Sequence, residues 1–316
     1  MGRSGVTRRS FVRKAIGGGC AIVAGRAGAA VGFVRGGRRR GQVSELAVGS
    51  VSGSSSVVTA PARFDVVGVS WAGAAVAGVE LRVRRAGAWS DWVGAGARGH
   101  GPDGGRRGAR RTIGEPVWAG GADAVQVRSA TPLRGVRVHF VSALLPAGGV
   151  FGAGVARSRF AGPVYPAGPG QPNIIARHVW ANAACRPRVR AAIGEVRLGF
   201  VHHTDNANSY SRAEAAAMVQ AICLFHRNVN GWNDIGYNFL VDRFGRIFEG
   251  RAGGIDEPIV GAQAGGYNLA STGVGILGTF VSAAPSAAAL SAVEQLLAWK
   301  LSLHGVPAVG ETDVVV

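Results

Sequence analysis

The segment RLGFVHHTDN, Arg197–Asn206, sets two adjacent histidines, His202 and His203, behind apolar Leu198, Phe200 and Val201. The chain has 7 histidines in all, so a pair at what reads as a strand end is a concentrated signal. An imidazole in such a place is either a ligand or a structural group satisfied by hydrogen bonds. Alternate side chains of a strand point to opposite faces, so the two histidines meet different surroundings. Thr204 follows them directly. Further on, GWNDIGYNF brings Trp232, Asn233 and Tyr237 together just ahead of a second strand.

These residues need a scaffold, and the surrounding pattern supplies one. Ser211-Arg-Ala-Glu214 is a capping box, in which Ser serves an orphan amide and Glu reaches back. The helix it opens runs through AEAAAMVQAICLFHRNV, with Met218, Ile222 and Phe225 on one stripe. GYNFLVDRFGRIFEGR reads as a hairpin turning at Asp242–Gly245, and GVGILGTF (Gly273–Phe280) as a central strand. A second helix spans Pro285–Gly305, with Leu290, Val293, Leu296, Leu297 and Leu301 as its stripe. Residues 173–316 are therefore expected to form an α/β domain, a mixed central sheet flanked by helices.

Residues 60–145 have a different texture. Val79, Leu81 and Val83 alternate with Glu80, Arg82 and Arg84, and Val136, Val138 and Phe140 alternate with Arg137 and His139. Period two over several short runs predicts antiparallel strands with one buried face, hence a small all-β, sandwich-like domain. It shows no cluster of catalytic residue types; His100, in a Gly-rich loop, and His139, on the polar phase of a strand, read as plain surface residues. Residues 42–59, with GSVSGSSS, and the Gly/Ala/Pro-rich 146–172 read as linkers.

The net charge of +17 is concentrated at the start, where residues 1–41 hold ten basic residues and no acidic one. Arg8-Arg9, then Phe11, Lys14, a Gly/Ala stretch and Ala27-Gly28-Ala29 resemble a twin-arginine export signal of a bacterium. That implies an extracytoplasmic protein, secreted or held at the cell wall. The apolar stretch is broken by Arg26 and too short for a permanent membrane anchor. No zinc-finger spacing, aromatic RNA-binding motif or helix-turn-helix supports nucleic acid as a partner. The all-β domain is then a spacer or a module that contacts the wall. Cys185 and Cys223 form either one disulfide after export or two buried thiols.

Three ordered segments, FVHHT, GWNDIGYNFLVDRFGRIFEGR and VGAQAGGYNLASTGVGILGTF, resemble the peptidoglycan recognition protein / type 2 N-acetylmuramoyl-L-alanine amidase family. The resemblance covers about residues 174–316, and EPVWAGGADAVQVR upstream is similar to the β-rich domain of actinobacterial members. It implies zinc-dependent hydrolysis of the lactyl–L-alanine amide of peptidoglycan. It makes His202 a zinc ligand and Tyr237 the support of the zinc-bound water or the oxyanion. His203, Thr204, Trp232, Asn233 and Gln263 become residues of the substrate groove.

Two departures accompany the resemblance. The family draws two further zinc ligands from G-H-R-D and C-P-G stretches, and this sequence, ending HGVPAVGETDVVV, contains neither. Gln263 stands where the family usually has His. His226 and His304 are the remaining candidate donors of the α/β part. The sequence thus reads as an amidase domain lacking its C-terminal portion, with a sheet edge left unpaired. A non-catalytic peptidoglycan-binding protein is the alternative, and an adhesive protein working through its all-β part is a third reading.

Overall fold

The structure is a computed structural model that describes residues 42–97, 102, 111–143 and 170–314. The export signal, His100 and nearly all of the 146–172 segment lie outside the described residues.

The first sheet contains β1 (Gln42–Ser54), β2 (Val58–Ala72), β3 (Val79–Arg85), β4 (Ala88–Trp89), β5 (Val93–Gly94), β6 (Arg111–Ile113) and β7 (Val117–Ser142). β7 is its spine. It pairs antiparallel with β1, from Gln42 opposite Ser142 to Ser54 opposite Arg128, and with β3, from Val79 opposite Ser129 to Arg84 opposite Ala124. β2 lies along it with Val69 opposite Val138, and β6 continues the sheet beyond β2. One face closes over Phe64, Val67, Val69, Trp71, Leu81, Val127 and Phe140.

Three expectations change here. The first stretch read as linker is strand: β1 fills Gln42–Ser54 and the start of β2 follows. Its pairing shifts register around Gly49 and Gly53, whose φ values of 90° and 71° favour glycine, so these residues serve as bulges rather than as flexible chain. Second, β2 does not have one buried face. Val66 and Val67 point to opposite sides and both are fully buried, because a helix from the second half covers the outer face. Third, His139 is no surface residue; it is 9% exposed. Its Nδ1 lies 3.2 Å from Glu45 Oε2, and its Nε2 lies 2.8 Å from Ser70 Oγ. With Nδ1–H donated to the carboxylate, Nε2 accepts from the Ser70 hydroxyl. Arg111 donates to Ser70 Oγ from the β6 edge, at 3.0 Å. Burial pushes the His139 pKa down to about 4, against a partial offset from Glu45. Alternation placed His139 on the correct side of β7 but said nothing of β1 and Arg111, which cover that side.

The second sheet has the order β8-β11-β10-β12-β9, from β8 (Ile174–Ile175), β9 (Leu198–His203), β10 (Phe239–Val241), β11 (Ile247–Glu249) and β12 (Ser271–Ile276). β10 and β11 form the expected antiparallel hairpin, while β12 is parallel to both β10 and β9, so the sheet is mixed. Asp242 builds the hairpin turn: its Oδ1 accepts from the amides of Phe244 and Arg246, both at 2.9 Å, and Gly245 turns at φ 74°.

Helices cover both faces. A short α1 (Arg177–Trp180) leads in. α2 (Ala215–Asn228) packs with Leu240, Phe248 and Leu277. α3 (Ala287–Leu303) packs with Phe239, Val241, Val274 and Ile276 on the other side. The Glu half of the capping box is present ahead of α2, where Ser211 N donates to Glu214 Oε2 at 2.8 Å. α3 is capped by Ser286, whose Oγ accepts from Ala289 N, and is followed by Gly305 at φ 68°. Cys185 and Cys223 are free, buried thiols, and burial raises the Cys223 pKa. Among the described residues no helix is long and apolar enough to cross a membrane.

Candidate functional site

β9 is the outer strand of its sheet, and among the described residues it pairs on one side, with β12. His202 lies opposite Gly275, and His203 opposite Ile276. Gly199 faces α3, where an added Cβ would crowd Leu297, so Phe200 and His202 occupy the opposite face.

On that face six rings form a row. Tyr267 stands 5.8 Å from Phe200, Phe200 5.9 Å from His202, and His202 6.0 Å from Tyr237. Tyr237 is 5.9 Å from His226, whose ring lies 4.5 Å from that of Trp232 at a tilt of 36°. The bare backbone of Gly275 makes room: a Cβ there would sit 3.0 Å from the Tyr237 ring and 3.2 Å from Thr204 Cγ2. Tyr237 is almost wholly buried, His202 and Trp232 are half-buried, and Tyr267 is exposed. His226 arrives from the last turn of α2, and its Nδ1 accepts from Gly236 N at 3.1 Å. In the neutral ring Nε2 therefore carries the hydrogen.

The other sequence candidates are placed differently. His203 Nδ1 accepts from Phe280 N at 2.8 Å, and its Nε2 lies 3.4 Å from Asp205 Oδ1. Thr204 Oγ1 accepts from Asn206 Nδ2 at 2.7 Å and from Gly278 N at 3.2 Å, tying the loop after β9 to the loop after β12. Asn233 Oδ1 accepts from the amides of Arg188 and Val189, both at 2.8 Å, and so pins that loop. Gln263 does not line an open groove. It is 1% exposed, donates to Ser271 Oγ at 3.0 Å, and fills the space left by Gly261 and Gly273. An amide suits that position because it can bond inside the fold while packing against glycine backbone.

The sequence missed Phe200, Tyr267 and His226 as members of the row, and Asp234 beneath it. Asp234 is 1% exposed; its Oδ1 accepts from Arg177 Nη2 at 2.6 Å and Ile235 N at 2.8 Å, and its Oδ2 from Ala252 N at 3.0 Å. A fully bonded buried carboxylate directly before Ile-Gly-Tyr fixes the backbone that carries Tyr237. The "ND" preceding an apolar pair was its only sequence signal.

A catalytic zinc centre takes three protein ligands and keeps one open position. Among the described residues no group of three His, Cys, Asp or Glu side chains converges in that way. His304 is remote in kind: its electrostatic neighbours are Lys300, Asp256 and Glu257 at the end of α3. The described residues therefore offer His202 as one donor and do not by themselves make a zinc site.

A mixed sheet between helices, following an all-β sheet, with a histidine–tyrosine pair at its half-open edge, defines a two-part protein whose second part has the amidase fold. Residues 193–315 match the family model for N-acetylmuramoyl-L-alanine amidase, and residues 37–151 match the one described as Rv3811 N-terminal galactose-binding domain-like. Peptidoglycan-recognition protein SA of Drosophila melanogaster is 37% identical over 103 residues, 33% of this chain and 49% of that protein. Human N-acetylmuramoyl-L-alanine amidase is 35% identical over 134 residues, 40% of this chain and 22% of that protein. A solved peptidoglycan recognition protein LE, in complex with tracheal cytotoxin, is 34% identical, with 43% of this chain and 77% of that chain covered at a TM-score of 0.39. Over residues 193–315 the chain is thus similar to the peptidoglycan recognition protein / type 2 N-acetylmuramoyl-L-alanine amidase family. It spans about half the length of the first of these relatives.

Proposed function

We propose that this chain acts on peptidoglycan outside the cytoplasm, seating a muropeptide along the ring row beside β9, as an N-acetylmuramoyl-L-alanine amidase. The observation that carries the reading is the row itself, with His202 between Phe200 and Tyr237 on one face of an edge strand. Exposed and half-buried rings suit sugar faces and the methyl groups of lactate and alanine, while imidazole and phenol suit the amide that joins them. Tyr237 donates from its phenol to the amide oxygen, where charge would develop on attack. Trp232 borders the row, and His203, Thr204 and Asn233 hold its loops in place. Zinc, when bound in this family, supplies the activated water, and His202 is the donor this chain presents to it.

The test is mass spectrometry of muropeptides incubated with the purified protein, with zinc or with chelator, alongside calorimetric binding. Release of the stem peptide, lost in His202→Ala and reduced in Tyr237→Phe, is the expected result, and the chelator arm decides whether a metal takes part. Binding without release would replace the hydrolytic reading by recognition alone. The absence of both release and binding would overturn the proposal.

A further inference from the structure

We propose that the all-β part is not a free module but the built-in partner of α2, and that it positions the His226 end of the ring row. The starting observation is that α2 has no solvent face to speak of. Ala215, Ala216 and Met218 through His226 are all buried. A helix lying on one side of a sheet buries a stripe and exposes the rest; one buried all round is enclosed. The second sheet covers one side of α2 through Leu240, Phe248 and Leu277. Val66, Trp118 and Val141 of the first sheet join the same apolar cluster, with Val43 and Ile113 packed against it.

A close approach is made at Gly68. Its neighbours in β2 are valines, but a Cβ at this position would overlap the Phe225 ring. Glycine here allows the ring to lie directly on β2 backbone. At the other end of the helix Arg85 Nη1 reaches Glu214 Oε1 at 3.5 Å, an exposed pair that adds orientation more than energy. Phe225 is followed immediately by His226, whose ring lies tilted against Trp232 and beside Tyr237. A shift of α2 on β2 therefore moves the imidazole that closes the row. Phe225 is a positioning residue, acting through His226. The link to ligand affinity rests on the peptidoglycan reading above; the joint folding of the two parts does not.

A double-substitution cycle in the full chain tests this. Gly68→Ala introduces the overlap, and Phe225→Ala removes its partner. Gly68→Ala alone should lower the midpoint of denaturant unfolding and raise the muropeptide Kd by about fivefold, and its effect on stability should largely vanish in the Phe225→Ala background. Val127→Ala, in the core of the all-β part away from α2, should lower stability without changing the Kd. Wild-type unfolding should be one transition by calorimetry, with amides of α2 and β2 exchanging at matching rates. Two separate transitions, or a Gly68→Ala cost that is the same in both backgrounds, would overturn joint folding. Coupled stability with an unchanged Kd would overturn the positioning role. If wild-type protein binds no muropeptide, the peptidoglycan reading fails while the stability cycle still decides joint folding.

Discussion

In β2, Val66 and Val67 are neighbours that point to opposite faces, and both are fully buried. In β9 no residue is fully buried, and Val201 is 48% exposed. Both strands are apolar in sequence, so hydrophobicity does not separate them. The number of layers does: β2 runs between its own sheet's core and α2, while β9 is the last strand of its sheet. Fully burying a valine contributes roughly 1.5–3 kcal/mol, so β2 is where stability is concentrated. β9 has less to lose, and can present His202 to a ligand instead of to a core. Under the proposed function, the structure-holding strand and the ligand-facing one are sorted by position in the sheet stack.

The largest effect expected from this contrast concerns the histidines of the two regions. His139 is enclosed beside β2, with its pKa pushed down to about 4 by burial. The unfolded chain then binds a proton below about pH 6.5 that the folded chain refuses. Stability is fully present above that pH and is lost as pH falls toward 4, by about 3 kcal/mol over the interval. Denaturant unfolding at a series of pH values should show this slope, and His139→Gln should flatten it. An unchanged slope in that variant would mean that the Glu45–His139–Ser70 chain is open to water and that the region is less enclosed than its geometry implies.

A smaller effect sharpens the point about layers. Val66→Ala faces α2, and Val67→Ala faces the core of the first sheet. Each should cost about 2 kcal/mol, since both leave a cavity in packed surroundings. A cost for Val66→Ala under about 0.5 kcal/mol, the range of surface substitutions, would reduce β2 to a strand with one buried face.

How much of this was legible in the sequence follows the same division. Period two found the strands around Leu81 and Val138, because those sides are covered by their own sheet. It did not show the second covered face at Val66 and Val67, where two adjacent valines interrupt the alternation. It failed again at GSVSGSSS, where Val51 is the one core side chain and the strand is otherwise defined by its pairing with β7. At the candidate site, His202 and Tyr237 were singled out through resemblance and alternation. Phe200, Tyr267 and His226 were not, since their meeting depends on the β9–β12 register and on the roll of α2, which no local pattern encodes. Gln263 was placed in the groove from its position in a motif, whereas the two glycines flanking its side chain draw it inward.

The smallest stability effects belong to β9 and give the comparison its other half. Val201→Ala and His202→Ala should each change the unfolding free energy by no more than about 0.5 kcal/mol, as expected for half-open positions without a cavity to create. The two should nevertheless part in function. His202 lies between Phe200 and Tyr237, so its loss opens the middle of the ring row and should abolish measurable muropeptide binding. Val201 points to the opposite face, toward α3, and its variant should bind as the wild type does. A His202→Ala protein that loses as much stability as Val66→Ala would show that β9 is a structural strand after all. The imidazole would then be a packing group, and the ligand would have to be sought elsewhere on the row.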